Sequence, residues 1–165
     1  MNCEEEIIMT VGQILALVGA AIAVILSGMG SSKGVGLAGE TAAGVSSENP
    51  EVSSKLLVLQ LLPATQGIYG FLIGVIVLIN TNVLGGAMKA VSLEQGIAFI
   101  IACLPVGIVG YYSAIRQAKV SAASMLMTGQ RPEMSGKGVT MTVMVETYAV
   151  FALLVSFLMV NAIAL

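Results

Sequence analysis

The sequence predicts an all-α membrane protein of four transmembrane helices, arranged as two duplicated hairpins. Three observations carry that prediction. First, 57% of the 165 residues are hydrophobic and only 10% are charged, whereas a soluble domain carries about 25% charge. Second, four long stretches are nearly free of charge, and each exceeds the roughly 20 apolar residues that cross the hydrocarbon core. Third, two blocks of the first half recur in the second. Lipid admits only helices or closed barrels, and runs this continuously apolar lack the alternation of barrel strands.

The elements follow in order. Residues 7–32 carry no charge and predict a first helix over about 8–45. Residues 56–88 are uncharged and predict a second over about 53–81. Residues 95–115 predict a third over about 93–128, and 138–165, charged only at Glu146, a fourth over about 136–164. The hairpins divide at 1–83 and 90–165. Pro50 and Pro132 mark the turns within them, because proline breaks helices.

Lys33 and Lys55 flank the first turn, and Arg116, Lys119, Arg131 and Lys137 the second, while the opposite side has only Lys89. That bias places both turns in the cytoplasm and both termini outside the plasma membrane. The N-terminal run through Glu4, Glu5 and Glu6 lacks the positive region of a signal peptide, so helix 1 is expected to be retained. The Glu run itself is read as a solvated tail. Cys3 sits at the terminus and Cys103 inside helix 3, so no disulfide is expected.

The duplication is read from two blocks. Ser27-Gly-Met-Gly-Ser-Ser-Lys33 lies over Ser113-Ala-Ile-Arg-Gln-Ala-Lys119, and Asn49-Pro-Glu-Val-Ser-Ser-Lys55 over Arg131-Pro-Glu-Met-Ser-Gly-Lys137. The two offsets differ by four residues, which predicts turns of unequal length. Small residues recur every four positions at Gly19, Ala23, Ser27 and Ser31, and again at Gly110, Ala114, Ala118 and Ala122. Gly30 and Gly34 add a GxxxG. Such stripes let helix backbones approach closely in lipid, and here they suggest the tight inner layer of a homo-oligomeric ring; the bland alternative is loose interior packing in a compact monomeric bundle.

Several chemistries are excluded. With no His in the chain, zinc sites built on His and Ser-His-Asp triads cannot form. Gly34-Val-Gly36-Leu-Ala-Gly39 matches a dinucleotide pattern but follows no strand, and Gly28–Gly34 lacks the Gly-Lys-Ser/Thr order of a phosphate loop.

Glu146 is the chemical centre of the sequence. A carboxylate inside an apolar span costs roughly 2.5–3.5 kcal/mol on insertion scales and usually marks an ion or proton path; the bland alternative is a neutral carboxyl bonded to a neighbouring helix. In helix 2, Leu62, Thr65, Gln66 and Tyr69 share one helical face. Pro63 has no N–H, so a carbonyl one turn back loses its partner and nearby carbonyls become available. Counting from the turns at about 1.5 Å per residue sets Gln117 level with Glu146, and Ser31 level with Gln66. By this count Gln66 occupies the place of Glu146 in the other hairpin.

Arg116 and Lys119 flank Gln117. They face an interior lined by water or lipid, or snorkel toward the cytoplasm; the alternative puts Gln117 at the membrane edge. Together Glu146, Gln66, Gln117, Thr65 and the Leu62 carbonyl form an oxygen cage with one negative charge, and Tyr69 orients the carboxylate. Hard cations take oxygen ligands. A proton needs only a carboxyl and one partner, so the surplus of neutral oxygens favours Na⁺ over H⁺.

The chain resembles the membrane rotor subunit (subunit K, or proteolipid, of the c type) of V/A-type rotary ATPases, above all the bacterial sodium-translocating ones. Leu59-Gln-Leu-Leu-Pro-Ala-Thr-Gln-Gly-Ile-Tyr-Gly70, Met144-Val-Glu-Thr-Tyr-Ala149 and Ser27-Gly-Met-Gly-Ser-Ser-Lys-Gly-Val-Gly36 carry the resemblance. It implies a ring of identical subunits with helices 1 and 3 inside, and sodium ligands at the Leu62 carbonyl, Thr65, Gln66, Gln117 and Glu146, with Tyr69 bonded to the glutamate. It also implies a stator partner supplying an arginine and half-channels, a central-stalk partner on the cytoplasmic side, contact with membrane lipid and none with nucleic acid. ATP chemistry would lie in other subunits, making this chain non-catalytic. The alternatives are a proton-carrying rotor subunit, a small proton-coupled transporter or a purely structural proteolipid. The transporter would need an aromatic-lined cavity, yet aromatics are 5% with no Trp.

Overall fold

A computed structural model describes residues 9–86 and 88–165. Cys3 and the Glu4–Glu6 run lie outside the described residues. Helix α1 runs Val11–Glu48, α2 Ser53–Leu61, α3 Thr65–Asn80, α4 Leu93–Gln130 and α5 Ser135–Ala162. A 3₁₀ turn at Leu62–Ala64 joins α2 to α3, so the five helices make four rods, each long and apolar enough to cross a membrane. Among the described residues there is no strand.

The two long helices begin alike. Thr10 caps α1 in a reciprocal box with Gln13, and Ser92 caps α4 in the same box with Gln95. Each hydroxyl accepts an otherwise orphaned N–H of the first turn. Both helices are 38 residues long. Both then pass through one non-helical residue, Asn49 or Arg131, into a 3₁₀ turn at Pro50–Val52 or Pro132–Met134. The turns are therefore equal in length, which corrects the unequal turns expected from the sequence. One register, eighty-two positions from Thr10 to Ser92, holds along both hairpins. In the sequence the first block matches one helical turn out of this register, because a stripe of small residues repeating every four matches itself when slipped by four.

Helices α1 and α4 run side by side in the same direction and pack most closely; α2–α3 lies against α1, and α5 against α4. Glycine makes the inner contact possible: a Cβ on Gly30 would stand 2.5 Å from the Tyr111 backbone. The stripe Gly19, Ala23, Ser27 and Ser31 is buried, as are Gly110, Ala114 and Ala118.

Two apolar clusters form the interior. One gathers Ala16, Ala20, Ile73, Val77, Phe99, Val106 and Val160. The other gathers Ala38, Ala42, Val45, Leu56, Leu59 and Met125. Between them along α1 and α4 lies a polar layer, in which Ser27, Ser31, Gln66, Ser113, Gln117, Ser121 and Thr142 are buried. Among the described residues no buried side-chain nitrogen or oxygen lacks a partner, as a low-dielectric interior demands. Cys103 is a free, buried thiol in the first cluster.

Candidate ion-binding site

Pro63 builds the site from the backbone up. Without an N–H it cannot bond the Leu59 carbonyl four residues back. That carbonyl is satisfied from another helix: the Ser121 hydroxyl of α4 donates to it at 2.6 Å. The chain tightens into the 3₁₀ turn Leu62–Ala64 and resumes as α3 at Thr65. Ser31 of α1 secures this break, accepting the Gly67 N–H at 2.7 Å and donating to the Ala64 carbonyl at 3.4 Å.

The structure joins every predicted site residue in one network. The Thr65 hydroxyl donates to the Leu62 carbonyl at 3.0 Å and lies 3.5 Å from Gln66 Oε1. Gln66 Nε2 donates to Gln117 Oε1 at 2.6 Å and to Ser113 Oγ at 3.3 Å. Gln117 Nε2 in turn donates to the Thr142 carbonyl at 3.2 Å and to Glu146 Oε2 at 3.4 Å. The Tyr69 hydroxyl donates to the other carboxylate oxygen, Glu146 Oε1. Both glutamines are fully buried, while Leu62, Thr65, Tyr69 and Glu146 are half-buried.

The neighbours of the site settle two further points. Arg116 and Lys119 are exposed on other faces of α4 while Gln117 points into the bundle. Lys33, on α1, donates to the Tyr111 hydroxyl at 2.9 Å and does not enter the site. In the common register the counterpart of Glu146 is Ala64, and that of Gln66 is Tyr148, which corrects the equivalence of Gln66 and Glu146 drawn from depth. Helices of equal slope bring residues two apart to nearly one level, so depth does not fix register.

Among the described residues no three acidic, His or Cys side chains gather. The site therefore offers one carboxylate among neutral oxygens. Glu146 also borders a groove of about 330 Å³ between α3 and α5, lined by Tyr69, Val143, Thr147, Val150 and Phe151. The groove opens on the outer surface, where an apolar wall would meet lipid.

Ser31, Ser113, Ser121 and Thr142 are the site's supports, and the sequence reading did not assign them that role. For Ser113 a signal was present: it stands one helical turn before Gln117, on the same face. The Thr142 carbonyl had none, since any backbone carbonyl looks alike in sequence.

The family model for the C subunit of ATP synthase matches residues 18–77 and again 100–159. The chain belongs to this ATP synthase C family. The two matches start eighty-two positions apart, in the register of the helix caps, so the family's pattern occurs once in each hairpin. The V-type sodium ATPase subunit K of Enterococcus hirae is 44% identical over 149 residues, covering 90% of this chain and 92% of that protein. The A-type ATP synthase subunit K of Methanocaldococcus jannaschii is 35% identical over 147 residues, covering 88% of this chain and 61% of that protein. Family membership and four apolar rods make the chain a multi-pass membrane protein.

Proposed function

We propose that this chain is the ion-carrying rotor subunit of a V/A-type rotary ATPase and that its cargo is Na⁺. The observation that carries this reading is the layer around Glu146. One carboxylate, fixed by the Tyr69 hydroxyl on one oxygen and the Gln117 amide on the other, shares a single network with the Gln66 and Thr65 side chains and the Leu62 carbonyl. The name of the Enterococcus relative, a sodium ATPase subunit, supports the same cargo.

In this mechanism the chain assembles with copies of itself into a ring, with α1 and α4 inside and α2–α3 and α5 toward lipid. Na⁺ enters through a half-channel in a stator subunit and neutralises Glu146. The carboxylate, Thr65, Gln66, Gln117 and the Leu62 carbonyl supply oxygens in place of water. A bare carboxylate facing lipid would cost roughly 2.5–3.5 kcal/mol or more, so only a filled site turns away from the stator. On return, a stator arginine displaces the ion into the second half-channel. A potential of 100 mV contributes or opposes about 2.3 kcal/mol per charge moved. The chain is itself non-catalytic; ATP is handled in other subunits, linked through a central stalk at the cytoplasmic turns.

Carbodiimide labelling of the purified protein tests the reading. Glu146 alone should be modified, and Na⁺ should slow the modification at constant pH. Labelling that ignores Na⁺ but falls steeply as pH rises would instead indicate a proton-carrying rotor.

A further inference from the structure

We propose that Ser113 is a positioning residue that sets the polarity of the Gln66 carboxamide, so that its oxygen and not its nitrogen faces the cation. This inference rests on the cation reading above. A carboxamide has two ends of nearly equal size, one accepting and one donating. Only the oxygen can ligate Na⁺, so the side chain is useful in one of its two orientations.

The hydrogen bonds around Gln66 determine which. The Ser113 hydroxyl has one proton, and it donates that proton to the Val145 carbonyl at 3.2 Å. A carbonyl can only accept, so this bond has one direction, and while it is made the hydroxyl has no second proton for Gln66. What Ser113 then offers Gln66 is a lone pair, 3.3 Å from Nε2. A Gln66 oxygen at that position would face another oxygen with no proton between them. Gln117 agrees from the opposite side. Its own nitrogen is drawn to the Thr142 carbonyl and the Glu146 carboxylate, so its oxygen is turned to Gln66 and accepts at 2.6 Å. Both N–H bonds of Gln66 are used, and Oε1 is left beside Thr65, 3.5 Å from its hydroxyl.

The common register supports a special role for this serine. Its counterpart in the first hairpin is Ser31, which also donates to a carbonyl of the facing outer helix. There the accepted bond comes from a backbone N–H, Gly67, at 2.7 Å. The same hydroxyl position thus braces a helix break in one half and a carboxamide in the other. Ser113 is 6% exposed, so bulk water barely reaches its hydroxyl.

The test is Na⁺ protection of Glu146 against carbodiimide in the purified assembly, read as the Na⁺ concentration that halves the labelling rate. Ser113→Ala should raise that concentration roughly three- to tenfold, the effect of losing one orienting hydrogen bond. The pH profile of labelling without Na⁺ should stay as in wild type, because Tyr69 and Gln117 still hold the carboxylate. Ser113→Thr, which keeps the hydroxyl, should restore protection. Ser156→Ala removes another buried hydroxyl between α4 and α5, bonded to the Val106 N–H at 3.1 Å, and should leave the midpoint unchanged. Ser113→Ala protected at the wild-type Na⁺ concentration would overturn the inference while leaving the cation reading standing. So would an equal shift in Ser156→Ala, which would mean simple loosening of the helix pair. Wild-type protein indifferent to Na⁺ would overturn both.

Discussion

At the scale of single residues the site consists of one charge and a set of directed neutral groups. In the proposed mechanism Glu146 must be silenced without being consumed, and each neighbour acts on a different atom. Tyr69 holds Oε1 and Gln117 holds Oε2. Tyr69→Phe should therefore keep the carboxylate reactive but weaken Na⁺ protection roughly ten- to a hundredfold, since a hydrogen bond to a charged group is worth about 1.5–3 kcal/mol. Labelling rates measured across a Na⁺ series would check this. Glu146→Gln should leave the assembly intact while abolishing both labelling and Na⁺-dependent transport in reconstituted vesicles. The residue types were legible in the sequence because an acid and several amides in an apolar run have few bland explanations. Their supports were less so: serine is frequent in this chain, and nothing local says which serine bonds Gln66.

Between residue and molecule stands the broken rod α2–α3. Its 3₁₀ turn follows from one missing N–H, and α4 compensates by lending the Ser121 hydroxyl to the Leu59 carbonyl. The two residues should therefore be coupled. Ser121→Ala alone leaves a buried carbonyl unpaired, which costs about 1–3 kcal/mol. In a Pro63→Ala background the restored N–H can satisfy that carbonyl, and the same serine change should cost far less. A double-mutant cycle on thermal denaturation in detergent would measure the difference; purely additive losses would contradict this account of the break. Pro63→Ala alone should weaken Na⁺ protection, because Leu62, Thr65 and Gln66 would rotate together as the helix straightens. That proline disturbs the helix was readable from chemistry. That Ser121 answers it was not, because the two lie on separate rods.

For the whole molecule the decisive feature is close contact between α1 and α4. Gly30 meets the Tyr111 backbone where no side chain fits, so Gly30→Leu should force the pair apart. Wild-type protein in mild detergent should run as a large ring, and this variant as small or aggregated species on size-exclusion chromatography. Sidedness can be tested on the same scale. In a background with Cys3→Ser, which keeps only the buried Cys103, an impermeant thiol reagent should reach Glu133→Cys from the cytoplasmic face. It should reach Lys89→Cys from the opposite face.

Sequence by itself determined the rods, their number and their doubling, because hydrophobic length and charge depletion are local properties that lipid reads directly. It also set Glu146 level with Gln117, since helices of fixed rise leaving a short turn place equal counts at nearly equal depth; that the two side chains meet came from the fold. The tertiary structure decided between the two offsets that the repeated blocks allow, with Ala64 and not Gln66 in the place of Glu146, because a stripe of small residues looks the same when shifted by one turn. It alone also decided which way each amide faces. That choice depends on donors and acceptors from other helices, and a carboxamide carries no orientation of its own.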